Sequence, residues 1–236
     1  MEVDPTATSS LSNETKNDPQ RHRLIRAQLS FLQKADGSCN LEQGKTVIWC
    51  GVNGPGDCPS SKRCDNKLYI EVVYRCGPSH HNMIKSNKIL NSVIEQTVEC
   101  IRFPRAMLAI TIQEIQADGS ELAAALTASC LALLDSGIYM NGIFCGVNVC
   151  SIAGRIIIDP SKSEADKADA QFTFAVKESN FLWQKNCTRI VACDTVGTFD
   201  FATFEVAQKL ALECAKDVFL FYRETLQRKL KLSSNS

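Results

Sequence analysis

The clearest alternation of apolar and polar residues along the chain lies between residues 110 and 116. Its isoleucines stand among threonine, glutamine and glutamate, which is the pattern of a half-buried strand. The turn Asp118-Gly119-Ser120 ends the alternation, and leucines and alanines then cover nearly every helical face as far as Gly137. The pattern predicts a helix buried on several sides. Ser120 or Asp118 is its predicted N-cap, because a short side-chain oxygen accepts an unpaired amide of the first turn.

Shorter apolar segments on both sides of this element predict the rest of the fold. Helices are predicted over residues 83–100 and 203–231. Their order predicts an α+β domain of two halves with mostly antiparallel pairing and a long C-terminal helix. The predicted strands cover residues 25–33, 38–41, 46–53 and 67–74 in the first half, and 144–151, 155–158, 171–176 and 189–194 in the second.

Both outer helices are predicted to be amphipathic. The first carries Ile84, Val93 and Val98 on one side, and the second carries an apolar stripe from Phe204 to Phe221 at steps of three and four residues. Residues 1–20 contain almost nothing apolar, which predicts a disordered tail. No linker-like composition divides residues 21–236, so they are predicted to form one domain.

The amino-acid composition is that of an ordinary globular protein and does not by itself indicate a function. Hydrophobic residues make up 44% and charged residues 22%, with a formal net charge of zero, as in ordinary globular proteins. Any binding of nucleic acid must therefore come from a local basic patch and not from the net charge of the protein. The chain has no secretory leader pattern and no apolar segment of membrane-spanning length, so we expect an intracellular protein without a membrane partner.

Twelve cysteines are present, but no C-x-x-C motif occurs. Buried free thiols are the favoured interpretation, and Cys58 with Cys64 is the pair to test for metal. The pair His80-His81 is interpreted as a solvated loop tip and not as a catalytic pair. We predict neither a metal nor a cofactor.

An acidic segment follows the predicted strand over residues 155–158. Clustered carboxylates can hold Mg²⁺ or supply a general acid, so Asp166 and Asp169 are candidate catalytic residues. A solvated loop between strands has the same composition, and both interpretations stay open here. The four carboxylates of the segment are Asp159, Glu164, Asp166 and Asp169.

Basic residues collect between positions 62 and 88. If they share one surface, they can contact the phosphates of a nucleic acid without reading its sequence. A scattered charged surface would give the same sequence pattern. The candidate nucleic-acid-binding residues are Lys62, Arg63, Arg75, Lys85 and Lys88, with Lys67, His80, His81, Arg102 and Arg105 as further members.

Several short motifs together resemble the RNase PH family. They are KADGS with QGKTVIWCGVNGP over residues 34–55, QADGS over 116–120, DSG over 135–137 and FCGV over 144–147. The ending FLFYRETLQRK over 219–229 is similar to RNase PH-like ring subunits of the eukaryotic RNA exosome. The resemblance implies a two-halved β-α-β-α domain, in agreement with the predicted element order.

Active members of that family degrade RNA from its 3′ end by phosphorolysis, with inorganic phosphate as the nucleophile. They bind phosphate where the central helix begins, with a glycine turn, a threonine and an arginine. Here Gly119 keeps the glycine turn and Ser120 replaces a second glycine. Glu121 stands at the threonine position, Leu122 at the arginine position, and a second family arginine falls at Ser92.

The two essential aspartates of the family fall near Ala165 and Gln171, although a shift of one residue would bring Asp166 to the first position. Losing the arginine removes a bidentate phosphate ligand, and Glu121 repels the anion. The resemblance therefore implies a catalytically inert protein with a degenerate phosphate site.

The function implied is that of a non-catalytic subunit of the RNA exosome core ring, supporting 3′-to-5′ RNA processing and degradation, rRNA processing included. Expected partners are sister RNase PH-like subunits and RNA, with DNA and a homodimer left open. The expected location is the nucleus, including the nucleolus, and the cytoplasm. The alternative is a free-standing homodimer that binds RNA or DNA and assists, or acts as, a Mg²⁺-dependent nuclease.

Overall fold

Two β-sheets with one helix between them form the core, so the α+β prediction is confirmed. The computed structural model describes residues 9–10, 22–77, 83–179 and 187–234. The first half contains β1 (Ser9–Ser10), β2 (Ile25–Leu29), β3 (Gly37–Gln43), β4 (Thr46–Asp57), β5 (Tyr69–Arg75), α1 (Met83–Glu95), a 3-10 helix (Cys100–Arg102) and β6 (Ala106–Gln116). The second half contains α2 (Glu121–Ser136), β7 (Ile143–Ile152), β8 (Arg155–Ile158), the one-turn α3 (Lys162–Ala165), β9 (Ala170–Ser179), β10 (Cys187–Gly197) and α4 (Phe201–Ser234).

The strands pair mostly antiparallel, as predicted. The first sheet has the order β1-β2-β3-β4-β6-β5 and the second has the order β10-β9-β7-β8. Among the described strands, only β5 and β6 run parallel, because α1 carries the chain across between them. A parallel pair needs such a crossover.

Helix α2 is buried between the two sheets, as its leucines and alanines predict. Residues Ala123 to Leu133 have buried side chains throughout. A Cβ atom on Gly146 of β7 would lie 2.4 Å from the backbone of Ala123, so the glycine lets this strand approach the helix. The small residues of α2 thus allow close packing on both sides.

The phase of β6 differs from the prediction at its end. Ile110 and Ile112 face the core, but Ile115 is 49% exposed and Glu114 is buried. The Tyr74 hydroxyl donates a hydrogen bond to Glu114 Oε2 at 3.0 Å, which satisfies part of the buried carboxylate. Burial and the charge of Glu114 raise the pKa of Tyr74 well above its usual value.

Helix α1 is shorter than predicted, and the prediction of its apolar face was partly wrong. It ends at Glu95, because Val98 forms a bridge with Met140 of the second half. Ile84 is 71% exposed, while Leu90 joins Val93 in the core. Strand β4 is longer than predicted, since its pairing with β6 resumes after an irregularity between Asn53 and Gly56 and continues to Asp57.

The C-terminal helix follows its predicted stripe. Ala207, Cys214, Val218 and Phe221 are buried, and Phe204 is partly buried. Tyr222 anchors this helix in the core, because its hydroxyl donates to the carbonyl oxygen of Phe144 at 3.0 Å.

Most of the tail predicted over residues 1–20 lies outside the described residues, as does the pair His80-His81. Within the tail, Ser9–Ser10 pairs with β2 opposite Ala27 and Arg26. The disorder of the remainder stays a prediction.

The cysteines are free, and seven of the twelve are buried. Cys58 is buried and donates to the carbonyl oxygen of Pro59 at 3.6 Å, while Cys64 is half-buried. In the part of the chain that the structure describes, no three metal-ligating side chains group together, and no helix is both long and apolar enough to cross a bilayer.

Candidate functional site

The turn between β6 and α2 is the place where the degenerate phosphate site was predicted. Gly119 has φ +87°, and a Cβ atom there would lie 2.5 Å from the carbonyl oxygen of Pro160. Glycine is therefore required both by its backbone conformation and by the chain that crosses it. The segment after β8 packs directly against the turn, and Lys162 N–H donates to the carbonyl oxygen of Asp118 at 3.1 Å.

Ser120 holds the N-cap position of α2, but it does not cap through its side chain as predicted. Its φ is +59°, and its hydroxyl donates to the carbonyl oxygen of Pro160 at 3.1 Å. The side-chain amide of Asn148 donates in turn to Ser120 Oγ at 3.3 Å. Asp118 lies beside Arg23, with its Oδ2 at 3.6 Å from Nη1. Ser120 thus fastens the turn to the second sheet instead of the first turn of the helix.

Glu121 fills the role that an anion would have at this turn. Its Oε1 accepts the N–H of Gly119 at 3.0 Å. Helix N-termini attract negative charge, and here the chain's own carboxylate supplies it. Leu122 is half-buried and has no donor to offer a phosphate.

Ser92 is an exposed residue on α1. Its hydroxyl oxygen accepts a hydrogen bond from the side-chain amide of Gln96 at 3.2 Å, one turn further along the helix. A serine that is engaged in this way does not replace the charge of the arginine expected there.

Arg23 binds the carbonyl oxygens of the turn, a role that no sequence pattern indicates. Its guanidinium donates to the carbonyl oxygens of Asp118 at 2.9 Å and Gly119 at 3.2 Å, and to Asp159 Oδ1 at 2.8 Å. Asp159 is buried, and its backbone is in the left-handed region with φ +53°. Burial alone would raise the pKa of Asp159, but His22 and the Arg23 guanidinium outweigh it and lower that pKa below its usual range.

The acidic segment does not assemble into one site. Asp159 is paired with Arg23, and Glu164 accepts hydrogen bonds from Ser161, including its backbone N–H at 2.8 Å. These bonds lower the pKa of Glu164. Asp169 accepts the N–H of Ala153 at 2.8 Å, while Asp166 is exposed at the end of α3. Three of the four carboxylates therefore have local structural partners.

Ala165 and Gln171, where the family aspartates were expected, are neighbours in space. The side-chain amide of Gln171 donates to the carbonyl oxygen of Ala165 at 2.8 Å. An alanine and a glutamine supply no carboxylate for acid–base chemistry. Asp166 is adjacent in sequence but exposed.

Comparison with known proteins decides the family. Residues 21–139 match domain 1 of the 3′ exoribonuclease family RNase PH, and residues 142–201 match its domain 2. The chain belongs to the RNase PH family.

Three relatives illustrate the likeness. The chain is 35% identical over 214 residues to the exosome complex component RRP46 homolog of Caenorhabditis elegans, covering 90% of this chain and 97% of that protein. Rice Rrp46 shares the fold with a TM-score of 0.79 at 21% identity, over 89% of this chain and 98% of that one. Cell-death-related nuclease 5 of C. elegans gives a TM-score of 0.64 at 29% identity, over 90% and 99%.

In this RNase PH family member the predicted basic residues form two groups around the edge strand β5. Lys62 and Arg63 precede the strand, whereas Arg75 ends it about 20 Å further along. Asn87 accepts the N–H of Tyr74 at 3.1 Å, which places the start of α1, with Lys85 and Lys88, beside the end of β5.

Several of these basic residues already have partners. Lys62 pairs with Glu71, and Lys85 pairs with Asp194 of β10. Arg63 donates to the carbonyl oxygen of Cys58 at 3.2 Å. Arg75 and Lys88 are exposed. The five residues therefore lie before β5 and at its end, and three of them already have hydrogen-bond or ion-pair partners.

Lys177 is a further residue that sequence reasoning missed. Its side chain is buried between the two halves, and its Nζ donates to the carbonyl oxygen of Gln96 at 2.9 Å and to Asn141. Burial and the charge of Arg189 lower the pKa of Lys177. Strand alternation alone would have placed Lys177 on the more polar face of β9, with Gln171 and Thr173, so the sequence carried no signal for its burial.

Proposed function

We propose that this chain is a phosphorolytically inert RNase PH-like subunit of an RNA exosome ring. It supports 3′-to-5′ RNA processing and degradation, including that of rRNA, by assembling with sister RNase PH-like subunits and by binding RNA. Relatives at 35% identity carry the name of exosome complex components, which supports the ring role.

The observation that carries the proposal is the hydrogen bond from Gly119 N–H to Glu121 at 3.0 Å. A phosphate at this turn would have to displace a carboxylate of the same sign, with Leu122 in place of a guanidinium. Ala165 and Gln171, the residues matched to the two family aspartates, also supply no carboxylate, and Asp166, the alternative at the first position, is exposed at the end of α3. The chain therefore lacks both a site that binds phosphate as the nucleophile and a carboxylate for acid–base catalysis of phosphorolysis.

An end-labelled RNA decay assay on the purified chain tests the inert state. We expect no shortening of the RNA with phosphate, with Mg²⁺ or with both, while binding persists. Decay that requires phosphate would contradict the proposal.

Size-exclusion chromatography with light scattering tests the ring role, with the chain alone and mixed with sister subunits. A monomer in every mixture would contradict assembly, and a homodimer of the isolated chain is the expected self-association.

RNA binding is proposed to rest on the two basic groups at β5. Lys62→Glu with Arg63→Glu, and separately Arg75→Glu with Lys88→Glu, are expected to weaken RNA binding and to reduce its salt dependence. Arg155→Glu, an exposed residue of β8, is the matched control for loss of positive charge. Unchanged affinity in both double variants would contradict this part of the proposal, and parallel titrations with DNA test the preference.

A second candidate function is a Mg²⁺-dependent nuclease acting as a free-standing homodimer. The structure of cell-death-related nuclease 5, at 29% identity, favours it, because its name describes a nuclease. Its candidate metal ligands are Asp166 and Asp169 of the acidic segment, which the described residues do not complete to a group of three ligands. Cleavage that needs Mg²⁺ but not phosphate, and that is lost in Asp166→Asn and Asp169→Asn, would establish it. Cleavage that survives both substitutions would exclude this site.

The proposed location is the nucleus, including the nucleolus, together with the cytoplasm. A fluorescent fusion at the natural expression level tests it by microscopy. Confinement of the fusion to a membrane-bounded organelle other than the nucleus would contradict it.

A further inference from the structure

Three side chains form a surface stack where the two halves of the fold meet. The Cζ atom of Arg102 lies 4.1 Å from the centroid of the Tyr139 ring. The Phe103 ring stacks on the same tyrosine, with centroids 6.2 Å apart and planes at 29°. We call Arg102, Phe103 and Tyr139 the junction platform.

The junction platform is both rigid and accessible. Glu99 N–H donates to the carbonyl oxygen of Tyr139 at 2.9 Å, and the Glu99 carboxylate pairs with Arg102 Nε. This ion pair holds the guanidinium over the ring. Tyr139 is nevertheless 53% exposed, and neighbouring Ile101 is 83% exposed. Both Arg102 and Tyr139 are therefore accessible to a ligand.

The loop before β5 adds an excess of basic residues beside the junction platform. Leu68 N–H donates to the carbonyl oxygen of Cys100 at 2.8 Å, and Arg105 N–H donates to that of Cys64 at 3.0 Å, so residues 58–68 pack against residues 99–105. Together these two segments carry five basic side chains and two carboxylates. Lys62 pairs with Glu71, Arg102 with Glu99 and Arg105 with Asp65, whereas Arg63 and Lys67 are in none of these three pairs. The basic residues are Lys62, Arg63, Lys67, Arg102 and Arg105, and the acidic ones are Asp65 and Glu99.

We propose that the junction platform binds single-stranded RNA by stacking a base on the exposed Arg102–Tyr139 pair, while Arg63 and Lys67 hold neighbouring phosphates. The inference rests on the proposed RNA-binding function and names the residues that contact bases. Bases in single strands stack on aromatic rings and on guanidinium planes, and a positive groove beside them follows the backbone. A protein partner is the competing occupant, but the excess of basic residues favours a polyanion.

Fluorescence anisotropy with a labelled oligouridine and its abasic counterpart tests the inference on the full chain. Tyr139→Ala is expected to weaken binding of the oligouridine by about five- to tenfold. The abasic strand should bind both proteins alike, and the slope of affinity against salt should not change, because stacking releases no counterions. Tyr139→Phe should bind as the wild type does, and Arg102→Lys should lose base-dependent affinity while it keeps its charge.

Phe201→Ala is the matched control, because Phe201 is a 75% exposed aromatic at the start of α4. It should leave RNA affinity unchanged. Equal RNA affinity of the wild type and Tyr139→Ala would contradict base stacking on the junction platform, but not the proposed function. A wild type that binds no RNA would contradict the RNA-binding part of the proposed function itself. An equal loss on the abasic strand would refute stacking. Intact RNA affinity with lost assembly to sister subunits would assign the platform to a protein.

Discussion

At the scale of single residues, Glu121 decides what the turn before α2 can bind. The carboxylate takes the Gly119 N–H at 3.0 Å, and the next residue is a leucine. We predict that Glu121→Thr with Leu122→Arg gains measurable phosphate binding, because repulsion is removed and a bidentate ligand is supplied. Isothermal titration with phosphate measures this gain, with Glu121→Gln as the control that removes the charge alone and should bind far less.

The same double variant should still fail to degrade RNA, because Ala165 and Gln171 provide no carboxylate. An RNA decay assay with phosphate checks this expectation. Phosphorolysis by the double variant would mean that a different residue performs the acid–base step, with Asp166 as the first to test.

The pair of Asp159 and Arg23 contributes to stability in acid. The folded pKa of Asp159 is lowered from an unfolded value of about 3.9. Its carboxylate therefore stabilises the fold fully above about pH 5, and this stabilisation is lost as the pH falls towards the folded pKa. We predict that Asp159→Asn lowers the free energy of unfolding at pH 7 by about 3 kcal/mol, because the partly buried Arg23 guanidinium loses its partner.

Urea unfolding from pH 7 down to pH 3 measures this effect. The stability of the wild type should fall more steeply below pH 4 than that of Asp159→Asn. Asp166→Asn, at an exposed position in the same segment, is the control and should follow the wild type. Parallel pH profiles for all three proteins would contradict the role given to Asp159.

At the scale of elements, an ion pair links the end of α4 to the end of α2. Lys229 pairs with Asp135, whose side chain is nearly inaccessible and also accepts the backbone N–H of Ser30 at 3.1 Å and that of Ser38 at 2.9 Å. We predict that Lys229→Met lowers the free energy of unfolding by about 1–2 kcal/mol, because a buried carboxylate loses a charged donor. Thermal or urea unfolding measures it, and Lys216→Met, an exposed lysine of α4, should change stability far less.

The elements themselves could be predicted from the sequence wherever periodicity or turn residues act locally. Helix α2, its preceding strand and the stripe of α4 follow directly from apolar spacing. The end of α1 could not be predicted, because Val98 leaves the helix to pair with Met140 of the other half. Arg23 escaped prediction for the same reason, since its partners lie 95 to 136 positions later. Tertiary contacts of that range leave no periodic signal.

At the scale of the whole molecule, buried polar contacts join the two halves into one unit. Arg23 binds the turn before α2 and Asp159, and Lys177 of β9 binds the carbonyl oxygen of Gln96 beyond α1. Helix α2 adds a shared apolar core, since it packs on both sheets. Opening either half alone would leave charged groups without partners and expose α2. We therefore expect the halves to unfold together.

Two buried cysteines can report this unfolding separately. Cys50 lies in the first sheet and Cys145 in the second, and burial raises the pKa of both thiols, that of Cys50 to about 12. Neither should react while folded, because the thiolate is the nucleophile. In increasing urea, pulse alkylation followed by mass spectrometry should label both thiols at one midpoint, whereas exposed Cys187 reacts from the start. Lys177→Met is expected to lower both midpoints together. Separate midpoints in the wild type, or midpoints that Lys177→Met leaves unchanged, would mean that the two halves unfold independently.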